Sequence, residues 1–206
     1  SAQFGRVAAT GWGAADVGGA WTVNVPSSFS VDGSAGLVRF TGAGSTRTAT
    51  LNSISVRDAV STIELSLDKL PVGDSYYHQM LARMNGGALY SLTTRIAPNG
   101  VIYLVLARIV GGTETQLKTF ALGNFNYGAG ESIRVKFSVT GASPTTLSGR
   151  VWRVGTPEPG MPQITVTDNA VGLQTAGAIG MKFYAAGAMT SLPLAVRVES
   201  YEVRDR

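Results

Sequence analysis

The chain has 206 residues, of which 26 are glycine, none is cysteine and 15% are charged. The length and the lack of any composition break predict one domain at residues 1–206, and the absence of cysteine excludes disulfides, zinc–thiolate sites and a cysteine nucleophile. The formal net charge is +4, but the basic residues are spread along the chain rather than clustered, so no nucleic-acid partner is predicted.

The chain in order predicts many short strands and no long helix. A short opening segment and a glycine-rich loop around Trp12 come first, and turns rich in glycine, proline and asparagine separate the later segments. Strands are predicted at residues 20–25, 29–31, 37–40, 46–51, 59–67, 76–84, 88–96, 101–109, 115–122, 133–140, 147–154, 163–168, 179–184 and 193–203. The longest apolar run, residues 101–110, is too short to span a bilayer, so membrane insertion is not expected.

The clearest single element is a hairpin within residues 132–154. Apolar residues at every second position from Ile133 to Val139 alternate with polar ones, a period that predicts a strand with one buried face. A Gly-Ala-Ser-Pro turn follows at 141–144, and the alternation then resumes and places Trp152 on the second strand. Because a strand set of this size either closes into a barrel or splits into two layers, we predict an all-β, two-sheet antiparallel jelly-roll sandwich of roughly thirteen to fifteen strands.

The carboxylates and the histidine argue against an enzyme. His78 is the only histidine and lies inside a predicted strand, where a structural role is expected rather than general-base catalysis. Glu64 and Asp68 share a strand face, but their backbones are about 13 Å apart. Unless the long side chains converge, that exceeds the roughly 5 to 9.5 Å between the carboxyl groups of a glycosidase. Glu199 and Glu202 are three residues apart and would face opposite sides of a regular strand. We therefore predict no catalytic residues.

A sugar-binding site is the chemistry that the remaining residues favour. Sugars present apolar C–H faces ringed by hydroxyls, so a site needs an exposed aromatic ring and planar polar groups. Strand parity selects as candidates Tyr77, Gln79, Arg83, Arg95, Arg108, Arg150, Trp152 and Tyr184, with Lys182 beside Tyr184. Adjacent antiparallel strands would bring several of them onto one concave face. Two alternatives stay open, because the three tryptophans are also candidates for the core and Tyr127 is a candidate sugar contact from a loop.

The order of these signals resembles a known domain. The residues that carry the resemblance are Phe4-Gly5-Arg6, Gly11-Trp12-Gly13 with Asp16, Gly18-Gly19-Ala20-Trp21, Gly111-Gly112-Thr113-Glu114-Thr115, Val151-Trp152 and Gly155-Thr156-Pro157-Glu158-Pro159. The pattern is similar to a concanavalin A-like, laminin G-like jelly roll. This domain recurs in secreted actinobacterial proteins, where it accompanies glycoside hydrolases, and in tail proteins of their phages. The resemblance implies the lectin/glucanase type of fold and brings no ligand-binding set with it.

Loop aspartates add a prediction of one structural Ca²⁺ and no other cofactor. Asp16 and Asp168 are its candidate ligands, since Asp16 lies in a predicted loop, Asp168 lies where a predicted strand meets the loop after it, and carboxylate oxygens are the hard ligands that Ca²⁺ prefers. The alternative is that these aspartates only accept hydrogen bonds from nearby backbone, as turn aspartates commonly do.

The predicted function is a non-catalytic, lectin-like accessory domain that binds a polysaccharide within a larger secreted or surface protein. The alternative is a structural or receptor-binding module of a phage tail or cell-surface assembly, in which adhesion to a glycan is optional. The expected partners are a glycan together with other domains of the parent protein or further copies of the chain. The expected location is extracellular, whether secreted, on a cell surface or on a virion.

Overall fold

Fifteen strands and one 3₁₀ turn at Pro26–Ser28 make up the computed structural model, which describes all residues from 1 to 206. The strands are β1 (Val7–Ala8), β2 (Thr22–Val23), β3 (Phe29–Asp32), β4 (Gly36–Phe40), β5 (Ser45–Val56), β6 (Ala59–Leu67), β7 (Tyr76–Asn85), β8 (Ala88–Ile96), β9 (Val101–Val110), β10 (Thr113–Asn126), β11 (Ile133–Thr140), β12 (Thr145–Arg153), β13 (Ile164–Asp168), β14 (Gly177–Ala185) and β15 (Leu194–Asp205). The structure contains no helix with the length and apolar character that a membrane span requires.

The strands form two antiparallel sheets that pack face to face. The eight-stranded sheet has the order β1-β3-β4-β15-β6-β11-β12-β13, and the seven-stranded sheet has the order β10-β9-β8-β7-β14-β5-β2. This arrangement confirms the predicted all-β, two-sheet sandwich. The strand number lies at the upper end of the predicted range.

The hairpin of β11 and β12 shows how alternation builds the interior. Ile133, Val135, Phe137 and Val139 are each at most 1% exposed, and they belong to one continuous apolar core that both sheets contribute to. The residues between them point to the outer face, meaning the face turned away from the other sheet. Burial of one side of the central strands is therefore what holds the two layers together.

An aromatic cluster around Trp12 closes part of the core. Its ring meets four others edge to face at centroid distances between 5.0 and 6.1 Å, namely Phe4, Trp21, Phe29 and Phe183. Each such pair contributes about 0.5 to 1.5 kcal/mol beyond its buried area. Gly36 permits the cluster, because a Cβ there would lie 2.8 Å from the rings of both Phe4 and Trp12. Trp12 and Trp21 are thus core residues, in agreement with one of the two alternatives.

Strand β2 is shorter than the predicted strand at residues 20–25. The side chain of Asn24 takes over the pairing there, since its amide donates to the Thr46 carbonyl (3.1 Å) and its oxygen accepts from the Thr48 N–H (2.9 Å). A side chain that bonds to backbone in this way competes with the regular ladder and ends it.

Two of the β-bulges bear on candidate residues, because they change which side chains face outward. One lies in β7 between Ala82 and Asn85, and the other lies in β15 between Val198 and Ser200. A bulge inserts an extra residue on one strand and so shifts the alternation beyond it. These two bulges determine the directions of the Arg83 and Glu199 side chains.

Candidate functional site

Four partly exposed side chains form a row across the outer face of the seven-stranded sheet. The strand register places Tyr103 opposite Arg95, Arg95 opposite Tyr77, and Tyr77 opposite Tyr184, on the four neighbouring strands β9, β8, β7 and β14. Residues that stand opposite one another on adjacent strands share a face and touch. We call these four residues the tyrosine–arginine row.

Arg95 is held between aromatic rings within this row. Its guanidinium carbon lies 4.9 Å from the ring centroid of Tyr103 and 5.9 Å from that of Tyr77, and its Nε donates a hydrogen bond to Ser75 Oγ at 2.9 Å. The Tyr77 and Tyr184 rings are 5.9 Å apart. The row is therefore an ordered surface of rings and one guanidinium, and the terminal nitrogens of Arg95 stay available to a ligand.

A second and more polar row lies beside the first. Gln79 stands opposite Thr93 on one side and opposite Lys182 on the other, and Lys182 stands opposite Thr48. The Gln79 amide donates to Thr93 Oγ1 at 3.1 Å, which fixes the carboxamide plane. Together the two rows offer rings for packing and amide, hydroxyl and ammonium groups for hydrogen bonding, all on one face.

The structure thus brings together half of the predicted sugar-binding residues: Tyr77, Gln79, Arg95 and Tyr184. Tyr103 completes the row and is not among the residues that strand parity selected. Its alternation with the buried Ile102 and Leu104 indicated an outward position. Its place next to Arg95 depends on the pairing register of β8 and β9, which alternation alone does not specify.

Arg83 does not lie on this face, which corrects its predicted placement. The bulge in β7 and a left-handed backbone conformation at Arg83 (φ 51°) turn the side chain toward the end of the sandwich, where the residue is only 1% exposed. Its guanidinium donates to five acceptors, namely the carbonyl oxygens of Arg57, Gly141 and Leu173, Thr145 Oγ1 and Asp58 Oδ1. Arg83 is a structural crosslink with no donor left for a sugar.

Arg108 and Asp168 pair with each other, which corrects the placement of both. Arg108 stands opposite the buried Tyr90 and faces inward, where Nη1 contacts Asp168 Oδ1. The Tyr90 hydroxyl (2.8 Å) and the Ala170 N–H (3.0 Å) both donate to Asp168 Oδ2. Burial raises the pKa of Asp168, but these hydrogen bonds and the Arg108 charge outweigh it and hold that pKa below its usual value. Burial and the same carboxylate raise the pKa of Tyr90 to about 12.

The two aspartates predicted to hold Ca²⁺ do not share a site. Asp16 is exposed, and its Oδ2 accepts a hydrogen bond from the Gln3 N–H at 2.8 Å, whereas Asp168 is enclosed by Arg108 and Tyr90. No cluster of three or more histidine, aspartate or glutamate side chains is close enough to hold a metal ion. In the structure both aspartates accept hydrogen bonds from donors of the protein itself.

Arg150 and Trp152 lie on the opposite side of the molecule, on the outer face of the eight-stranded sheet, which corrects their predicted grouping with Tyr77. Trp152 is 7% exposed, and the Lys136 ammonium lies 5.6 Å from its ring centroid. Two adjoining depressions of about 340 and 430 Å³ lie on this face and share Lys136 and Arg204 in their linings. We call them together the trough.

Ion pairs neutralise most of the charge in the trough. Glu158 accepts from both Lys136 and Arg150. Arg134 pairs with Glu64 at 2.9 Å, and Arg204 pairs with Glu202 at 2.9 Å. Of the five basic side chains in its lining, only Arg206 lacks a carboxylate partner.

The bulge in β15 places Glu199 on the same outer face as Glu202, which corrects the prediction that they face opposite sides. Glu199 Oε1 accepts a hydrogen bond from Ser66 Oγ of β6 at 3.2 Å. Glu202 stands opposite Thr62, which is also on β6. Burial, with the nearby Glu64 charge, raises the pKa of Glu199. Glu199 does not line either depression of the trough.

Two other candidate residues lie in the core. His78 is 1% exposed and packs at 5.2 Å from the Phe183 ring, and burial lowers its pKa to about 3. It is therefore neutral and inaccessible, as a structural histidine would be. Tyr127 is 2% exposed, and its hydroxyl accepts a hydrogen bond from the Leu67 N–H at 2.7 Å, so it is not a loop contact for a sugar.

Comparison with known proteins finds similarity in structure rather than in sequence. No protein-family model matches the chain, and no curated protein matches it. Carbohydrate-binding module CBM66 from Bacillus subtilis superposes with a TM-score of 0.60 at 8% identity, over 90% of this chain and 95% of that one. A β-1,3-glucanase from Mycobacterium marinum gives 0.63 at 13% identity, over 98% and 97%. The CBM2 module of the evolved Dit of Lactobacillus casei BL23 phage J-1 gives 0.55 at 11% identity, over 84% and 77%.

These likenesses define the class of the fold. The chain is a concanavalin A-like jelly-roll sandwich, as its sequence resemblance implied. Because the sequence identities are 13% or lower and the similar structures include both binding modules and an enzyme, the likeness establishes the fold alone.

Proposed function

We propose that the protein is a non-catalytic polysaccharide-binding domain that holds its glycan on the outer face of the seven-stranded sheet. The observation that carries this proposal is the tyrosine–arginine row, which crosses four adjacent strands in direct register. Strands are spaced about 4.8 Å apart, so the row extends roughly 14 Å. That length suits a stretch of polymer rather than a single sugar.

The chemistry of the face matches that of a sugar chain. Tyr77, Tyr103 and Tyr184 offer ring surface for the apolar C–H faces of the sugars, with phenol hydroxyls at their edges. The fixed amide of Gln79 and the Lys182 ammonium in the second row supply hydrogen bonds. A surface of this kind orients an extended ligand without enclosing it.

The carboxylates favour a binding role over hydrolysis. A glycosidase requires two carboxyl groups flanking the scissile bond, yet β7, β8, β9 and β14 contain no aspartate or glutamate. On the other face, Glu64, Glu158 and Glu202 are engaged in ion pairs with basic side chains. This distribution supports the proposal that the domain does not cleave its ligand.

A second candidate function is a structural or receptor-binding module of a phage tail or cell-surface assembly. Strand β10 (Thr113–Asn126) favours it, because this long strand forms an edge of the seven-stranded sheet and its far side is unpaired. Such an edge is a template for pairing with another chain. The similarity to a module of a phage Dit is in keeping with this role. Either function suits an extracellular protein. The assembly role requires β10 to pair with another chain, whereas the glycan-binding role does not.

Quantitative binding to a panel of soluble polysaccharides tests the first candidate. Tyr77→Ala and Tyr184→Ala should each weaken binding about two- to tenfold, since each removes one ring contact. Phe120→Ala is the matched control, because Phe120 is an exposed aromatic (41%) on β10, outside the row. Failure of the wild-type protein to bind any polysaccharide, with or without Ca²⁺, would refute the proposal.

Two further measurements separate the remaining roles. Release of reducing ends or of unsaturated sugars during incubation would overturn the non-catalytic assignment. Light scattering tests the assembly role, which predicts a defined oligomer that a proline substitution at the exposed edge of β10 disrupts. A monomer at all concentrations that binds glycan would favour the accessory domain.

A further inference from the structure

The charge of the tyrosine–arginine face indicates which glycans it selects. Arg95 lies in the first row and Lys182 in the second, and neither takes part in any of the eleven ion pairs of the structure. The four strands that carry the rows contain no acidic residue. Asp74, the acidic residue nearest in sequence to these strands, accepts a hydrogen bond from the Ser75 N–H at 2.7 Å and forms no ion pair. The face therefore carries two cations that form no ion pair.

The trough on the opposite face differs, because four of its five basic side chains are ion-paired. In the trough, Arg134, Lys136, Arg150 and Arg204 all contact carboxylates of the same chain. Uncompensated cations on a surface that also carries aromatic rings attract anions, whereas ion-paired cations attract them far less. The surface proposed to bind the glycan thus carries two cations that form no ion pair.

Arg95 is already arranged to receive an oxyanion. The hydrogen bond from its Nε to Ser75 and the contacts with two tyrosine rings fix the guanidinium plane before any ligand arrives. A fixed guanidinium offers its two terminal nitrogens as a fork that matches the two oxygens of a carboxylate or sulfate group. Preorganisation of this kind lowers the entropic cost of binding.

The spacing of the two cations favours a polymer over a small anion. Arg95 and Lys182 are two strands apart and lie in successive outward rows, which separates their backbones by roughly 12 Å. One small anion does not suit two groups at that spacing, but separate charged groups along one chain do. The intervening Tyr77 and Gln79 would then contact the sugar rings between them.

We propose that the tyrosine–arginine face selects acidic polysaccharides, those with repeated carboxylate or sulfate groups, over neutral ones. This inference rests on the proposed function and adds the substrate class to it. Carboxylated and sulfated polymers present the same oxyanion chemistry to Arg95, so the experiment contains an arm for each.

The test compares affinities for a carboxylated polymer (polygalacturonate), a sulfated polymer (dextran sulfate) and a neutral one (dextran), by calorimetry at low and moderate salt. The wild-type protein should bind at least one acidic polymer at least tenfold more tightly than dextran. Arg95→Gln should remove most of that preference, Arg95→Lys should keep part of it, and Lys182→Gln should weaken acidic binding alone. All variants alter exposed or partly exposed groups, and thermal unfolding confirms that they remain folded.

Arg39→Gln is the matched control. Arg39 is an exposed arginine on β4 of the other sheet and forms no ion pair, so this variant loses the same charge from elsewhere. Equal losses for Arg39→Gln and Arg95→Gln, or equal affinity for dextran and both acidic polymers, would overturn the selectivity. Binding to neutral glycan that Tyr77→Ala weakens and Arg95→Gln leaves intact would retain the proposed function but reject its acidic substrate. Absence of binding to every polymer would reject both.

Discussion

Replacement of Arg83 by methionine tests whether this arginine is a structural crosslink. The side chain is buried at the end of the sandwich and donates five hydrogen bonds with lengths from 2.7 to 3.3 Å. Hydrogen bonds to charged groups contribute about 1.5 to 3 kcal/mol each, but they are not additive. Removing one partner of a buried charged network costs about 3 to 5 kcal/mol. The lower half of that range applies, because Asp58 keeps its contact with Arg57 at 2.8 Å.

The loss is large compared with the total stability of a domain, which is about 5 to 15 kcal/mol. Urea denaturation followed by tryptophan fluorescence measures it, since the three tryptophans are at most 7% exposed in the folded protein. Arg83→Lys should lose less stability, as an ammonium replaces only part of the hydrogen-bonding fork, and should bind glycan as the wild type does. Arg39→Met serves as an exposed control. A decrease below about 1 kcal/mol for Arg83→Met, or weakened glycan binding by folded Arg83→Lys, would refute the structural role.

Two further substitutions test the core. The wild-type protein should lose stability as the pH falls below 6.5, because the unfolded chain then protonates His78 while the folded chain, whose His78 pKa is about 3, does not. His78→Leu should abolish this dependence of the urea midpoint on pH between pH 6.5 and 5. An unchanged slope in the variant would contradict the assignment of the effect to His78. Gly149→Ala should cost about 1 to 3 kcal/mol, because its Cβ would lie 2.8 Å from Leu92 Cδ1 and 2.9 Å from Ile164 Cγ2. Gly160→Ala is the control for the same denaturation measurement, since open space surrounds Gly160, and equal costs for the two variants would argue against overpacking.

Alternation predicted strands well wherever one face is buried and the other is solvated. The strands at Ala59–Leu67 and Ala88–Ile96 have the bounds that the sequence predicted, because their turns are marked by glycine, proline or charged residues. Alternation failed at bulges, where one extra residue reverses every later side chain. Arg83 and Glu199 both stand at such positions, and no residue type in the sequence announces either bulge.

The candidate site was predicted only in part, because strand parity does not say which sheet a strand joins. Arg150 and Trp152 were correctly expected on an outer face, but it is the outer face of the other sheet. Arg108 is a different case, since its parity with Ile102, Leu104 and Leu106 already indicated an inward position. The pairing of Tyr77 with Arg95 could be predicted, because β7 and β8 are joined by a short turn. Strands joined in this way pair with each other, so their closeness in sequence fixes the pairing.

Strands β14 (Gly177–Ala185) and β15 (Leu194–Asp205) come last in the chain but lie in the middle of the two sheets, between β7 and β5 and between β4 and β6. During synthesis on the ribosome, the strands on either side of β14 and β15 therefore keep an unpaired hydrogen-bonding edge until residues 177–205 emerge. Long-range strand pairing is slow and leaves such edges exposed to other nascent chains. A premature stop before these residues would leave each sheet as two unjoined halves, four half-sheets in all, rather than a smaller sandwich.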